Sequence, residues 1–209
     1  MNRDEHSPPR RRSVKTAAVI AGVAGLAFGV LGAFYMRSEP PPAAEDSAAP
    51  AMLRGEVPLR VWPAPRKLAD FHFEDEDGST VRLADHRGKV LLVNLWATWC
   101  PPCRREMPAL DRLRATLGGP DFEVLAVSIE PGGAAKVRAF YDETGVKALR
   151  VYIDGQGEAS AAIRSPAIPT SVLVGRDGME IGRLLGPAEW DSPAAIELIR
   201  ERIAEAQGR

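Results

Sequence analysis

The chain has 209 residues, a net charge of −1 and two cysteines. This length suits one globular domain of ordinary size with an additional segment. A net charge near zero lacks the basic field that nucleic-acid binding needs, so no nucleic-acid partner is predicted. Two cysteines cannot form a disulfide scaffold. Because both lie in one Cys-x-x-Cys motif, they are predicted to serve chemistry or to bind a metal.

The N-terminal part carries a candidate membrane anchor. Residues 1–15 are polar and basic, whereas residues 16–36 contain no charged side chain. An apolar run of this length can span a bilayer. A cleaved signal peptide is the alternative, although its apolar core is usually shorter. The basic flank places residues 1–15 in the cytoplasm, so everything after the anchor is predicted to lie outside it.

A linker is predicted to follow the anchor. Residues 37–66 are rich in proline, alanine and acidic side chains and show no hydrophobic periodicity. Such a composition is typical of a semi-rigid tether that forms no core of its own. The globular domain is therefore predicted to cover residues 67–209.

The globular part alternates strand and helix patterns, which predicts an α/β domain. An apolar run, Val90–Trp96, is predicted to be a buried strand, and Pro101–Leu117 is predicted to be a helix. The next apolar run, Phe122–Ile129, is predicted to lie parallel to the first because the crossover is long. The other predicted elements are an N-terminal hairpin (68–73 and 80–83), helices at 134–144, 159–163 and 192–206, and strands at 149–153, before 176–178 and at 180–185.

The two cysteines flank the start of the predicted helix. Pro101 suits the first helical position, where its missing N–H is not needed. Cys100 then lies at the helix N-terminus, where free N–H groups and the helix dipole favour a thiolate. Cys103 lies one turn further on and is less accessible. We therefore expect Cys100 to be the nucleophile of thiol–disulfide exchange and Cys103 to resolve the mixed disulfide.

The two prolines between the cysteines predict the direction of the reaction. Neither Pro101 nor Pro102 has an N–H to donate to the Cys100 sulfur. The Cys100 thiolate therefore gains less stabilisation than in a strong oxidant, whose reduced form is specially stabilised. The hypothesis is that the domain acts as a reductant.

The motif also carries a family resemblance. Trp99-Cys100-Pro101-Pro102-Cys103 after a buried strand, with Pro108 five residues on, resembles the thioredoxin fold. The longer string from Val93 to Pro108 resembles the membrane-anchored thioredoxins of the TlpA and ResA type. The string Leu185–Trp190 before the last helix is particularly similar to TlpA. The resemblance implies a thioredoxin fold with an N-terminal β-hairpin extension, preceded by a single transmembrane helix and a flexible linker.

The resemblance also implies a substrate-binding surface. Ile168-Pro169 matches the cis-proline element that the family places opposite the cysteines, and Pro166 is interpreted as an ordinary loop proline. The backbone of Ile168 could then pair with an extended substrate segment. Trp99 and Pro101, beside Cys100, are expected to complete this surface.

A proton acceptor for Cys103 is less obvious. Thioredoxins carry a buried Asp six residues before the first cysteine, but Asn94 holds that position here and cannot titrate. Glu130 follows the strand that ends at Ile129, so it reaches the same sheet edge as Cys100. Glu130 is therefore predicted to take the Cys103 proton, the alternative being an ordinary solvent-facing loop carboxylate.

The resemblance implies a function and a location. Members of the TlpA type are reductants on the periplasmic side of the bacterial inner membrane, and they act on cysteine pairs of cytochrome oxidase copper-site proteins. By this resemblance the protein would reduce client disulfides with electrons from a membrane donor, using its redox-active disulfide and no other cofactor or metal. The alternatives are a copper-binding module that uses Cys100 and Cys103, which would lack a late His ligand because none follows His86, and a thiol peroxidase.

Overall fold

This computed structural model describes residues 57–207. The predicted basic segment (1–15), the predicted anchor (16–36) and most of the predicted linker lie outside that range. Within the described residues, no helix combines the length and the apolar character that a bilayer span requires.

The described residues form one mixed sheet of eight strands in the order β1-β8-β7-β4-β5-β6-β2-β3. β4, β5 and β6 run parallel to one another, and the other neighbouring pairs are antiparallel. The strands are β1 (Arg60–Arg66), β2 (His72–Asp75), β3 (Thr80–Arg82), β4 (Val90–Trp96), β5 (Phe122–Ser128), β6 (Tyr152–Ile153), β7 (Thr170–Val174) and β8 (Glu180–Leu185).

Helices cover the two faces of the sheet unequally. They are α1 (Pro101–Leu117), α2 (Gly133–Thr144), α3 (Glu158–Ile163) and α4 (Pro193–Gln207), with a short 3-10 helix at Leu83–His86. Buried side chains of α1, α2 and α4 belong to one apolar core. On the other face the core receives side chains from α3, which has only 6 residues. The architecture is the predicted α/β fold, with three long helices on one face.

The central strand β4 is buried on both faces, as its continuous apolar sequence predicts. Val90, Leu92 and Trp96 pack into the core under the three long helices, while Leu91 and Val93 pack into the other core. The C-terminal end of β4 therefore leads directly to the cysteines. Fixing both faces of this strand fixes the position of the chain that follows it.

The predicted start of the domain is wrong. β1 pairs with β8, with Arg60 opposite Arg183, and the preceding Val57 and Leu59 are buried. The linker prediction for 37–66 thus runs at least ten residues too far. Its proline-rich sequence misled the prediction, because an edge strand tolerates proline where a central strand does not.

The predicted N-terminal hairpin is confirmed, although its first strand begins at His72 rather than at Leu68. β2 and β3 pair antiparallel, with Phe73 opposite Val81. β2 also pairs with β6 through Glu74 and Ile153. The hairpin thereby extends the sheet at the edge opposite β1.

Candidate active site

The two cysteines lie where β4 passes into α1, and they form a disulfide with Cα atoms 5.3 Å apart. Cys100 has an extended backbone and caps α1, and Pro101 is the first helical residue, as predicted. The Cys103 N–H donates to the Cys100 sulfur over 3.3 Å. Cys100 is 4% exposed and Cys103 is 0% exposed, so the outer sulfur belongs to Cys100.

A cis-proline loop faces this disulfide. The Ile168–Pro169 peptide is cis, as the sequence predicts. The Ile168 carbonyl oxygen lies 3.8 Å from the Cys100 sulfur. The Pro169 carbonyl accepts a hydrogen bond from the Gly186 N–H at 2.9 Å, which ties the loop to the end of β8. The backbone of this loop therefore borders the reactive sulfur.

Trp99 stands out of the surface beside Cys100, with 59% of its area exposed. Leu185 is 54% exposed and lies opposite Thr170, the residue after Pro169. Pro101 is exposed and Ile168 is half-buried. Large apolar side chains are otherwise mostly buried in the described domain, so this exposed group indicates a surface for binding another molecule.

A buried polar network lies behind the cysteines, and Glu106 is at its centre. Glu106 is 2% exposed and lies one helical turn beyond Cys103. Its carboxylate accepts hydrogen bonds from the Asn94 side-chain amide (2.9 Å), the Ala188 N–H (3.0 Å) and the Trp190 indole (3.3 Å). Burial raises the pKa of Glu106 from 4.5 to about 7, against the opposing effect of those bonds.

Asn94 connects this carboxylate to the cis-proline strand. Its amide nitrogen donates both to Glu106 and to the Ser171 hydroxyl, each over 2.9 Å. The Asn94 amide oxygen is buried without a hydrogen-bond partner within the described residues. Asn94 is thus a fixed link between α1 and β7 and is not a titrating group.

Glu130 reaches the predicted sheet edge, but its surroundings do not suit the predicted role. It is buried and accepts hydrogen bonds from the Thr98 N–H (3.2 Å), the Thr98 hydroxyl and Lys136 (3.2 Å). Burial acts to raise the pKa of Glu130, but these hydrogen bonds outweigh it and hold the pKa below its ordinary value of 4.5. A carboxylate whose pKa is held this low is a weak base, so it is poorly matched to taking a proton from a thiol at neutral pH.

The structure therefore excludes the solvent-facing alternative for Glu130 and argues against its predicted role as a base. Glu130 is buried and fixes the loop through Thr98, two residues before Cys100. The Arg104 guanidinium donates to the Thr98 carbonyl at 3.3 Å and lies 4.6 Å from the centre of the Phe140 ring. Both side chains hold the loop that presents Trp99 and Cys100.

The Redoxin family matches residues 63–198, which is more than half of the chain. The chain belongs to the Redoxin family. The match begins within β1, so it includes residues that the sequence prediction had assigned to the linker.

Several proteins similar to this chain are of the ResA type. Thiol-disulfide oxidoreductase ResA of Geobacillus thermodenitrificans is 36% identical over 110 residues, which are 52% of this chain and 62% of that protein. ResA of Bacillus thuringiensis subsp. konkukian is 31% identical over 121 residues, which are 58% of this chain and 69% of that protein. The chain thus spans less than two-thirds of the first relative, and the resemblance to the ResA and TlpA type is confirmed.

A solved structure agrees with the fold. The pneumococcal exposed lipoprotein thioredoxin Etrx1 of Streptococcus pneumoniae superposes with a TM-score of 0.54 at 30% identity. The match covers 64% of this chain and 99% of that chain. The domain is therefore a thioredoxin-like member of the Redoxin family.

Replacing Glu130 by Gln is expected to lower stability without changing the pH dependence of thiol exchange. The lowered pKa means that Glu130 stabilises the fold above about pH 4.5 and loses that contribution as the pH falls through its folded pKa. At pH 7 we expect a loss of about 1–3 kcal/mol, measured by urea unfolding. A shift in the midpoint of the pH–rate profile would instead return Glu130 to the chemistry.

Proposed function

We propose that the protein is a thiol:disulfide oxidoreductase that reduces disulfides in client proteins. The observation that carries the proposal is the Cys100–Cys103 disulfide at the N-terminus of α1, with the Ile168 carbonyl of the cis-proline loop 3.8 Å from the Cys100 sulfur. Membership of the Redoxin family and similarity to ResA support it.

The chemistry requires two exchange steps. In the reduced protein the Cys100 thiolate attacks one sulfur of the client disulfide, forming a mixed disulfide and releasing the first client thiolate. Cys103 then attacks the Cys100 sulfur, which re-forms the Cys100–Cys103 disulfide and releases the second client thiolate. The client gains two electrons and the cysteine pair loses two.

Thiol–disulfide exchange also requires proton transfers. Cys103 has to lose its proton before it can attack, because the thiolate is the nucleophile. Glu106 is the acceptor that the site supports, since its pKa of about 7 lets it take and return a proton at neutral pH. One client thiolate then recovers that proton, and the other takes a proton from solvent.

The direction of electron transfer depends on how few hydrogen-bond donors reach the Cys100 sulfur. The Cys103 N–H contacts its sulfur, while Pro101 and Pro102, the first two helical residues, have no N–H to offer. A thiolate with so little support does not strongly favour the reduced form. The protein therefore passes electrons to clients, and a membrane electron donor recharges it.

Client binding is assigned to the docking face, which consists of Trp99, Pro101, Ile168 and Leu185. A client segment can extend along the Ile168 backbone while its apolar side chains contact Trp99 and Leu185. The first three residues were predicted from the sequence, but Leu185 was not. Leu185 is the last residue of β8, which lies next to the edge strand β1, and its side chain is exposed there.

Truncating the docking face is expected to weaken client binding rather than chemistry. Trp99→Ala should raise KM for a peptide disulfide by about tenfold while kcat changes little, because aromatic residues dominate such contacts. Leu185→Ala should act in the same direction but less strongly. Met179→Ala, in the β7–β8 turn, is the matched control. A fall in kcat at unchanged KM would contradict this assignment.

We also propose that residues 16–36 anchor the protein in the bacterial inner membrane with the domain in the periplasm. The uncharged run and its basic flank support this location. Clients with copper-site cysteine pairs, as in the TlpA type, would be reached from there. Fusions to alkaline phosphatase, which needs disulfides to fold, test this orientation. The enzyme should be active when it is fused after residue 209 and inactive when it is fused after residue 15. The reverse pattern would refute the orientation.

Reduction of insulin by dithiothreitol tests the function itself. The wild-type chain should accelerate it, and Cys100→Ser should not. Titration with Cu(I) and consumption of peroxide, measured on the same preparation, test the two alternatives. Peroxide turnover or stoichiometric copper binding without insulin reduction would overturn the proposal.

A further inference from the structure

The sheet face that carries α3 is only partly covered, and a cleft remains there. α3 has 6 residues, and among the described α-helices it is the one whose side chains enter the core on this face. A cavity of about 810 Å³ lies between α3, β8 and the chain that follows β1. Its volume falls in the range of pockets that bind ligands.

One wall of this cleft is held by a hydrogen-bonded network. The Trp62 indole N–H donates to Glu180 at 2.9 Å, and the Arg183 guanidinium donates to the same carboxylate at 2.8 and 2.9 Å. Arg183 also donates to the Ile163 carbonyl at 2.8 Å, which ties β8 to the end of α3. The Arg66 guanidinium lies 3.6 Å from the centre of the Trp62 ring. The wall is therefore formed before any ligand arrives.

The charges of the cleft do not balance. Arg66, Lys67, Arg164 and Arg183 line it, and Glu180 is its one acidic lining residue. Glu180 is bound by Arg183, so the lining carries more cationic than acidic side chains. Within residues 57–207, neither the Lys67 side chain nor the Arg164 side chain has an ion-pair or hydrogen-bond partner. A cleft lined by one sign of charge concentrates ligands of the opposite sign.

Part of the cleft lining is apolar and includes Leu68, Ala161 and Ala162. Lys67 follows β1 and Arg164 ends α3, so a ligand that reaches both spans the cleft between these two elements. A small inorganic anion would leave most of the volume empty and the apolar lining without a contact.

We propose that this basic cleft binds an acidic, partly apolar segment of a partner protein. Carboxylates of the segment pair with Lys67 and Arg164, and its apolar side chains cover Leu68, Ala161 and Ala162. Recognition of acidic motifs by clustered basic side chains is an established mode of peptide binding. None of these residues belongs to the docking face or to the cysteine site, so the proposal does not depend on thiol exchange.

Fluorescence anisotropy with the full-length chain tests the proposal. The probe is a short fluorescein-labelled peptide that alternates Glu with Leu, and the control peptide carries Gln in place of Glu. The probe should bind the wild-type chain, and Lys67→Glu/Arg164→Glu should weaken binding by about tenfold or more. Lys147→Glu/Arg200→Glu makes the same charge change at exposed positions outside the cleft and should bind as the wild type does.

Three results would overturn the proposal. The first is that both double variants bind the probe equally well. The second is that the wild-type chain binds the Gln peptide as tightly as the probe. The third is that citrate binds as tightly as the probe, which would identify a small-anion site. Thermal unfolding midpoints of both variants close to that of the wild type ensure that a loss of binding reports the cleft and not the fold.

Discussion

Replacing Glu106 by Gln is expected to slow resolution of a mixed disulfide by about 100-fold or more at pH 7, the range that general acid–base catalysis contributes. The substitution keeps the shape of the side chain but removes its ability to take the Cys103 proton. The buried Asn94 amide oxygen, which lacks a partner in the described structure, can turn to accept from the new amide. The variant should therefore fold, and the loss should be one of proton transfer.

The pH profile separates this role from a structural one. In the wild type the rate of resolution should rise with pH through about 7, because only the ionised Glu106 can accept a proton. In Glu106→Gln this step in the profile should vanish. Glu123→Gln is the matched control: Glu123 is also buried, but its partners Lys89 and Arg114 lie at the other end of β5. A wild-type profile in Glu106→Gln would remove Glu106 from the mechanism.

The same substitution should change stability with a defined sign. A carboxyl whose folded pKa is raised stabilises the fold fully below its unfolded pKa and loses that contribution as the pH rises through the folded value. For Glu106 this pH window runs from 4.5 to about 7. Above it, the buried ionised carboxylate lowers the free energy of unfolding by an amount on the order of 3 kcal/mol. Glu106→Gln should therefore be more stable than the wild type at pH 8, as measured by urea unfolding.

Replacing the cysteines one at a time should give opposite results. Cys103→Ser leaves the outer nucleophile in place but removes the group that releases the client, so a client should remain attached to Cys100. Cys100→Ser leaves only the fully buried Cys103 and should capture nothing. Both variants should lose insulin reduction completely, because each step needs its own sulfur.

Capture is best measured by intact mass after incubation with a peptide disulfide. Cys103→Ser should gain the mass of one peptide half, and reductant should remove it. If Cys100→Ser formed the adduct instead, the roles of the two sulfurs would be reversed.

The sequence predicted what local signals determine. The bounds of β4 and α1 follow from a continuous apolar run and from a proline at the first helical position, and both match the structure. Cys100 could be placed at the helix N-terminus for the same reason. The cis peptide at Pro169 came from family resemblance, since no local pattern distinguishes it from Pro166.

The sequence did not predict what distant segments create. Glu106 follows Arg104 and Arg105 and resembles an ordinary charged helix residue. Its burial depends on contacts with Ala188 and Trp190, 82 and 84 residues away. One signal was available: Asn94 interrupts an apolar strand, and a buried amide needs polar partners. Searching for those partners would have pointed away from Glu130 toward a carboxyl on α1.

The reduction potential of the Cys100–Cys103 pair tests the central claim most directly. Equilibration of the chain with glutathione or dithiothreitol buffers, followed by thiol trapping, gives this value. We predict a potential near that of thioredoxin, about −270 mV, because within residues 57–207 the Cys103 N–H is the one hydrogen-bond donor that reaches the Cys100 sulfur. A value near about −120 mV, typical of a strong oxidant, would contradict the account.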